Sequence, residues 1–211
     1  MQERINLHIE NQVARVALNR PGKHNALDME MFRSIASVQK ILHKNRELRA
    51  VILSGEGVDF CSGLDVKALM KDRAGMMRLL WKWLPWQSNL AQEVSTGWRK
   101  LPVPVIAALH GRCWGGGFQI ALGADFRIVH PNASLSIMES KWGLIPDMAI
   151  STTLRDILPP DRVKELAWSG RVFDAQEALH LGLVTGIEDQ PLEAARELAA
   201  AISTRSPMGW P

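Results

Sequence analysis

The sequence predicts an α/β fold built from repeated ββα or βα units. Two segments of alternating apolar residues, 5–9 and 13–18, flank the polar residues 10–12 and predict a β-hairpin. Short apolar segments typical of buried strands then alternate with longer helical patterns. The chain has 211 residues, 46% of them hydrophobic, so it can bury a substantial core. We expect one large domain, although length alone would also allow two small ones.

Each element has its own signal along the chain. Asp28 is expected to cap a helix that runs to about Asn45. Buried strands are expected at 50–53, 105–109 and 126–129. After Pro146 the strand signals become sparse and helices dominate. Three helices are expected there. The first begins at 161–165, and the second begins with a capping box at 174–177. The third begins at Pro191 and runs to about Ser203.

Charge and cysteine content exclude several classes of protein. The net charge is +3 with a pI of about 9.1, and the basic residues are spread along the chain. This mild basicity suits a small phosphate-bearing ligand and argues against a nucleic-acid partner. Cys61 and Cys113 are expected to be buried, reduced thiols. With no signal pattern at the N-terminus and no long apolar run, we expect a soluble cytoplasmic protein with no membrane partner.

Two glycine turns predict a binding site for an oxygen that gains negative charge. The first is the triplet 115–117, which follows the apolar strand 105–109 and precedes a helix. The free N–H groups at the start of such a helix can stabilise an anion, although tight strand-to-helix packing explains a lone glycine motif equally well. The second turn, 60–67, follows the strand 50–53 in the same way. Two amides presented to one oxygen would form an oxyanion hole.

A third segment supplies acids. Residues 136–147 hold Glu139 and Asp147 among apolar neighbours, with Gly143 and Pro146 bending the chain. A carboxylate in such surroundings is a plausible proton carrier.

These features, with others in the same order, resemble the crotonase, or enoyl-CoA hydratase/isomerase, superfamily. The resemblance rests on an ordered set of motifs along nearly the whole chain. The motifs are LNRP at 18–21 with NAL at 25–27, CSGLD at 61–65, PVIAA at 104–108, GGG at 115–117, GLIP at 143–146, SGR at 169–171 and EALHLGLV at 177–184. Any one of them could arise by chance, but the ordered set is highly specific.

The resemblance implies the architecture and the partners. It implies an α/β spiral of ββα units over residues 1–158 and the start of a helical C-terminal region over 159–211, which normally continues further. It also implies a homotrimer or a dimer of trimers. Coenzyme A would be part of an acyl-CoA thioester substrate, with no separate cofactor and no metal.

The resemblance also implies which residues form the site. The backbone N–H groups of Leu64 and Gly116 would bind the thioester oxygen. The expected contacts with coenzyme A are Lys23, Ala26, Ser62, Leu64, Asp65, Val66 and Lys67.

The identity of the acids favours isomerisation over hydration. The hydratase branch uses two glutamates to split water, and this chain has Gln119 and Glu139 at those positions. Glutamine cannot take up a proton at neutral pH, so efficient hydration is in doubt. One carboxylate suffices to move a proton between allylic carbons. Asp147, eight residues after Glu139, matches the acid pair of the dienoyl-CoA isomerases.

Structural roles remain as alternatives for several of these residues. Glu139 could pair with Lys141 at the surface, and Asp147 could cap a helix over 148–158. His110 is expected to serve a turn or packing, and His24 to lie in a solvated loop near the phosphates of coenzyme A. The Met- and Trp-rich segment 73–98 is expected to be core, or else a wall of the acyl pocket or a lid.

Three functions therefore stay open. The first is an enoyl-CoA isomerase with weak hydratase activity. The second is another crotonase reaction such as thioester hydrolysis, and the third is a non-catalytic protein that binds coenzyme A.

Overall fold

The computed structural model describes residues 4–82, 84 and 86–205, which form two β-sheets surrounded by helices. The strands are β1 (Ile5–Glu10), β2 (Val13–Leu18), β3 (Ala50–Gly55), β4 (Val105–Leu109), β5 (Arg112–Trp114), β6 (Phe126–Val129), β7 (Ser134–Ser136), β8 (Val172–Asp174) and β9 (Gly186–Ile187). The α-helices are α1 (Met29–Lys44), α2 (Val66–Lys71), α3 (Arg73–Leu80), α4 (Leu90–Arg99), α5 (Gly116–Ala121), α6 (Ile150–Thr153), α7 (Pro160–Ser169), α8 (Ala175–His180) and α9 (Pro191–Ser203).

The larger sheet has six strands in the order β1-β2-β3-β4-β6-β9. The hairpin β1–β2 is antiparallel, and every later neighbour in this sheet is parallel. The smaller sheet has the order β5-β7-β8, with β5 parallel to β7 and β8 antiparallel to it. Because β3 and β4 are parallel neighbours, the segments that follow them leave the sheet at the same edge.

Alternate residues of the central strands are buried on opposite faces of the large sheet, as the two-residue period of a strand requires. On β3, Val51 and Leu53 join the main core with α1, α4 and α5. Ala50 and Ile52 pack on the other face with Ala195 of α9. Both faces are therefore covered, as is usual for parallel strands.

The predicted hairpin, the first helix and the three buried strands are confirmed. Asp28 caps α1, with its carboxylate accepting the N–H of Met31 at 2.8 Å. The helix from Pro191 also has the predicted bounds.

The expected helix over 148–158 is wrong. Only α6, four residues long, forms there, and Ala149 precedes it at a φ of +69°. This left-handed residue prevents a helix from running on through it from Met148. Asp147 therefore does not cap α6.

The short strands β5, β7, β8 and β9 are not predicted by the sequence. Two of them lie beyond residue 158, where β9 extends the large sheet beside β6. Residues 159–205 thus combine three helices with two strands, and the division of the domain at residue 158 stays a prediction.

Most of the described Met and Trp side chains of the segment 73–98 do not lie in the core as expected. Trp98 is fully buried, whereas Met77, Trp81 and Trp86 are exposed. The side chain of Met76 and the whole of Trp83 lie outside the described residues. Leu79 and Leu80 of the same segment line a cavity that is described below.

Both cysteines are buried and free, as predicted. Burial raises the pKa of the Cys61 thiol to about 12, so this thiol stays protonated and unreactive at neutral pH. None of the helices in the described ranges is both long enough and apolar enough to cross a membrane.

Candidate active site

The two predicted glycine turns lie side by side at the edge of the large sheet. The segment after β3 pairs in parallel with β5, because the N–H of Cys61 donates to the carbonyl of Arg112 at 3.0 Å and Trp114 donates back to Cys61 at 3.0 Å. A Cβ placed on Gly63 would lie 2.9 Å from the carbonyl oxygen of Trp114 and 3.6 Å from the nitrogen of Gly116. Only glycine permits this approach, particularly at a φ of +92°.

Each turn contains a backbone N–H that has no backbone acceptor among the described residues. Gly116 is the first residue of α5, so its N–H has no acceptor within the helix. Leu27 donates to the carbonyl of Gly63 at 2.8 Å and accepts from Asp65 at 3.0 Å, and the Leu64 N–H between them donates to no carbonyl of the described backbone. The arrangement suits two donors to one oxygen.

A cavity of about 590 Å³ opens at these two donors. All seven residues predicted to contact coenzyme A line it, together with Gly116 and Glu139. Lys23 and Lys67 are exposed at this cavity. The Asp65 carboxylate is engaged elsewhere, since it caps α2 at the Ala68 N–H and pairs with Arg20 at 2.8 Å. Its backbone is engaged as well, since the N–H donates to the Leu27 carbonyl and the carbonyl accepts from Leu69, each at 3.0 Å.

Glu139 and Gln119 meet directly, although they lie on different elements. Gln119 on α5 donates through Nε2 to Oε1 of Glu139 at 2.6 Å, and both residues are buried. A Cβ placed on Gly115 would lie 3.3 Å from the same Oε1, so the carboxylate packs against the glycine turn. The surface pairing of Glu139 with Lys141 is excluded, because Glu139 is only 5% exposed and forms no ion pair in the part of the chain described.

The surroundings of Glu139 raise the pKa of its carboxyl above the ordinary value. Burial raises the pKa of this carboxyl, and the negative charge of Asp147 adds to the rise, while the hydrogen bond from Gln119 opposes it. Oε2 of Glu139 and Oε1 of Gln119 are buried and have no hydrogen-bond partner among the described residues. A buried carboxyl with a raised pKa and one free oxygen suits a group that takes up and returns a proton.

Asp147 does not share the cavity of Glu139. It lines a second, mostly apolar cavity of about 600 Å³ with residues such as Phe32, Leu69 and Met148. Its pKa is raised by desolvation, even though the residue is exposed at the surface. The two cavities share a boundary of four residues, namely Leu64, Val66, Trp142 and Leu144. Leu64, one of the two predicted oxyanion donors, thus lies on the boundary between the two cavities.

Sequence reasoning missed the network that supports the turns. Asp59 is buried and binds both Arg112 and His24, and the three residues come from separate segments. Their only sequence signal is that each lies within a few residues of a recognised motif. His24 is half-exposed at the cavity rim, as expected. His110 donates through its Nε2–H to the Gly57 carbonyl at 3.0 Å, in line with its predicted turn role.

A family model for enoyl-CoA hydratase/isomerase matches residues 8–209. The chain belongs to this family. Carnitinyl-CoA dehydratase of Citrobacter koseri is 33% identical over 99% of this chain and 77% of its own length. Mitochondrial Δ(3,5)-Δ(2,4)-dienoyl-CoA isomerase of mouse is 34% identical over 94% of this chain and 63% of its own length. These two relatives are thus named for different reactions, although their sequence identity to this chain is nearly the same.

Solved structures of the family share the fold. An enoyl-CoA hydratase from Bacillus anthracis has a TM-score of 0.84 and 29% identity, covering 97% of this chain and 78% of that one. A Thermobifida fusca homologue in complex with acetoacetyl-CoA has a TM-score of 0.82 and 28% identity, covering 98% and 82%. The fold is therefore the predicted α/β crotonase fold, and the enzyme is of the acyl-CoA-processing kind.

Proposed function

We propose that this protein moves a double bond within an enoyl-CoA or dienoyl-CoA, with Glu139 as the base. The proposal rests on the hydrogen-bonded pair of Glu139 and Gln119. A buried carboxyl of raised pKa lies against the glycine turn that presents the Gly116 N–H, and its partner Gln119 cannot titrate.

The N–H groups of Leu64 and Gly116 would bind the thioester oxygen. Removal of a proton from C2 places negative charge on that oxygen, and two fixed donors stabilise the charge without rearrangement. The seven residues Lys23, Ala26, Ser62, Leu64, Asp65, Val66 and Lys67 would hold coenzyme A, because they line the cavity that opens at these donors.

The proton balance needs one group for a 3-enoyl substrate. The C2–H bond breaks, Glu139 takes the proton, and the electrons delocalise over the dienolate. A proton then returns at C4 from the same carboxyl, which leaves the double bond between C2 and C3. For a 3,5-dienoyl substrate the proton returns at C6, and Asp147 beside the apolar cavity is the proposed second acid.

Hydration of 2-enoyl-CoA is the second candidate, and one observation favours it. Oε1 of Gln119 and Oε2 of Glu139 are two buried acceptors without partners among the described residues. A water molecule that donates one hydrogen to each would be held beside a base. The carbonyl of Gln119 could orient such a water, but only Glu139 could take its proton.

Glu139→Gln tests the proposal with 3-enoyl-CoA in D₂O. Wild type is expected to form 2-enoyl-CoA that carries less than one full deuterium, as seen by mass spectrometry, because Glu139 returns part of the C2 proton to C4 before it exchanges with solvent. The variant is expected to lose about 10²- to 10⁴-fold in rate, the usual contribution of a general acid–base group. Its affinity for coenzyme A should change little, since Glu139 is not among the predicted coenzyme A contacts. Full isomerase activity in a folded Glu139→Gln variant would remove Glu139 from this role.

A further inference from the structure

Asp59 is a buried acid that the proposed reaction does not use. Its side chain is only 5% exposed. Oδ1 accepts the backbone N–H of Arg112 at 2.7 Å and its Nε–H at 3.1 Å, while Oδ2 accepts from Nη2 at 2.9 Å. The Arg112 guanidinium thus donates two parallel hydrogen bonds to the Asp59 carboxylate, and the backbone N–H of Arg112 donates a third.

The ion pair of Asp59 and Arg112 joins the starts of two segments, and these segments lead to the proposed oxyanion donors. Asp59 precedes Leu64 by five residues, and Arg112 precedes Gly116 by four. Between these points the segments run in parallel and pair through Cys61. Any shift of Asp59 relative to Arg112 would therefore be transmitted to the distance between the two donor N–H groups.

Gly111 shows that the backbone is built for this close approach. A Cβ at this position would lie 2.1 Å from the carbonyl oxygen of Val58 and 2.6 Å from Oδ1 of Asp59. Its φ of +55° is also in the left-handed region. Glycine allows the start of β5 to lie directly against the acid.

His24 ties a third segment to the same carboxylate. Its Nδ1 lies 2.7 Å from Oδ2 of Asp59 and 2.7 Å from Nη2 of Arg112, and this ring nitrogen can donate to the first or accept from the second, not both at once. The His24 carbonyl accepts the N–H of Ser62 at 2.9 Å. The loop that carries Lys23 and Ala26 is thereby held against the turn of Leu64.

Asp59 stays charged in this position. Burial would raise the pKa of its carboxyl, but the hydrogen bonds from Arg112 and His24 outweigh burial and hold the pKa below its ordinary value. Charge-assisted bonds of this kind are shorter and stronger than neutral ones, and they fix geometry as well as energy.

We propose that Asp59 is a positioning residue that sets the spacing of the Leu64 and Gly116 donors through Arg112. The inference rests on the proposed oxyanion hole. Its consequence is specific: loss of Asp59 weakens the binding of a thioester carbonyl or enolate. The binding of coenzyme A itself changes much less, because the bond from the Ser62 N–H to the His24 carbonyl still holds the loop of Lys23 and Ala26. A misplacement of about 1 Å at a catalytic site can cost about 10²-fold in rate.

The test compares coenzyme A with acetoacetyl-CoA as ligands for Asp59→Asn. Titration calorimetry gives both dissociation constants, and the ultraviolet difference spectrum reports enolate formation on binding. Wild type is expected to prefer acetoacetyl-CoA, and the variant to lose about tenfold of that preference together with the enolate signal. Asp125→Asn is the control, because Asp125 also accepts a backbone N–H, that of Val105 at 2.8 Å, but lines neither cavity.

The outcomes separate the inference from the proposed function. A folded Asp59→Asn variant that keeps the wild-type preference overturns the inference and leaves the proposed oxyanion hole standing. Absence of any preference in wild type overturns both. If Asp59→Asn does not fold, Arg112→Lys serves instead, because lysine keeps the charge but cannot donate two parallel hydrogen bonds to the carboxylate. The same loss of preference for acetoacetyl-CoA is expected.

Discussion

At the residue scale, the environment of Glu139 predicts how activity depends on pH. A base must be ionised, and burial raises the pKa of this carboxyl above its ordinary value. Activity is therefore expected to fall as pH drops through that raised pKa, at a higher pH than for an exposed glutamate. Gln119→Met removes the hydrogen bond that lowers this pKa, so the acidic limb of the rate profile should move to still higher pH.

The control for this profile is Glu93→Gln, because Glu93 is a partly exposed acid that pairs with Lys100 at the surface and lines neither cavity. An unchanged acidic limb in Gln119→Met would show that Glu139 is not the group that titrates.

The raised pKa of Glu139 also affects the stability of the fold. A carboxyl whose pKa is higher in the folded than in the unfolded state loses stabilisation as pH rises from the unfolded pKa through the folded one. Glu139→Gln should thus melt at an equal or higher temperature than wild type at neutral pH.

Gln119 predicts the balance between isomerisation and hydration. Gln119→Glu would place a second titratable group beside Glu139 and restore the pair that the hydratase branch uses. Two carboxyls at hydrogen-bond distance share a proton, so one can hold water while the other takes its proton. Hydration of 2-enoyl-CoA is expected to rise, as measured by loss of enoyl absorbance. Gln119→Met, which cannot titrate, should show no such gain.

The contact of Gln119 with Glu139 could be predicted only because both residues match positions of the catalytic pair in the family. Their separation of twenty residues says nothing about distance, and the contact at 2.6 Å arises because α5 and the turn after β7 meet at Gly115. The acid Asp59 carried no such signal, since a polar residue between a glycine turn and Phe60 reads as surface. Its burial depends on Arg112, which lies 53 residues away.

At the element scale, the glycine turns predict a matched pair of substitutions. Gly63→Ala adds a Cβ 2.9 Å from a backbone oxygen at a φ of +92°, so the turn must shift next to Leu64. We expect a loss of about 1–3 kcal/mol in the free energy of unfolding, and a fall in turnover beyond that loss. Gly182→Ala is the control, with a φ of +72° and open space around the added atom.

Thermal melts and initial rates distinguish the two effects. Gly182→Ala should lose stability through backbone strain alone and keep its turnover. Equal turnover in both variants would show that the turn at Gly63 does not position a catalytic donor.

The elements divide into those that local pattern predicts and those that it does not. The hairpin β1–β2 and the helices α1 and α9 carry their own periodicity and caps, and their predicted bounds agree with the structure. The strands β5, β7, β8 and β9 have two or three residues each and are held by pairing across the chain. Two or three residues are too few for a periodic signal.

At the scale of the whole molecule, family membership predicts assembly as a homotrimer or a dimer of trimers. An exposed apolar side chain such as Trp168, which lines neither of the two cavities, would be covered in such an assembly. Light scattering coupled to size exclusion is expected to give three or six times the mass of one chain. A single-chain mass at micromolar concentration would contradict this prediction.

The central claim is that the protein relocates a double bond and adds water poorly. The most direct measurement incubates the purified protein with 3-enoyl-CoA, 3,5-dienoyl-CoA and 2-enoyl-CoA in turn and identifies each product by mass spectrometry and nuclear magnetic resonance. The account predicts 2-enoyl-CoA from the first substrate or 2,4-dienoyl-CoA from the second, with little 3-hydroxyacyl-CoA from the third. Rapid hydration of 2-enoyl-CoA, with the 3-enoyl and 3,5-dienoyl substrates returned unchanged, would contradict it.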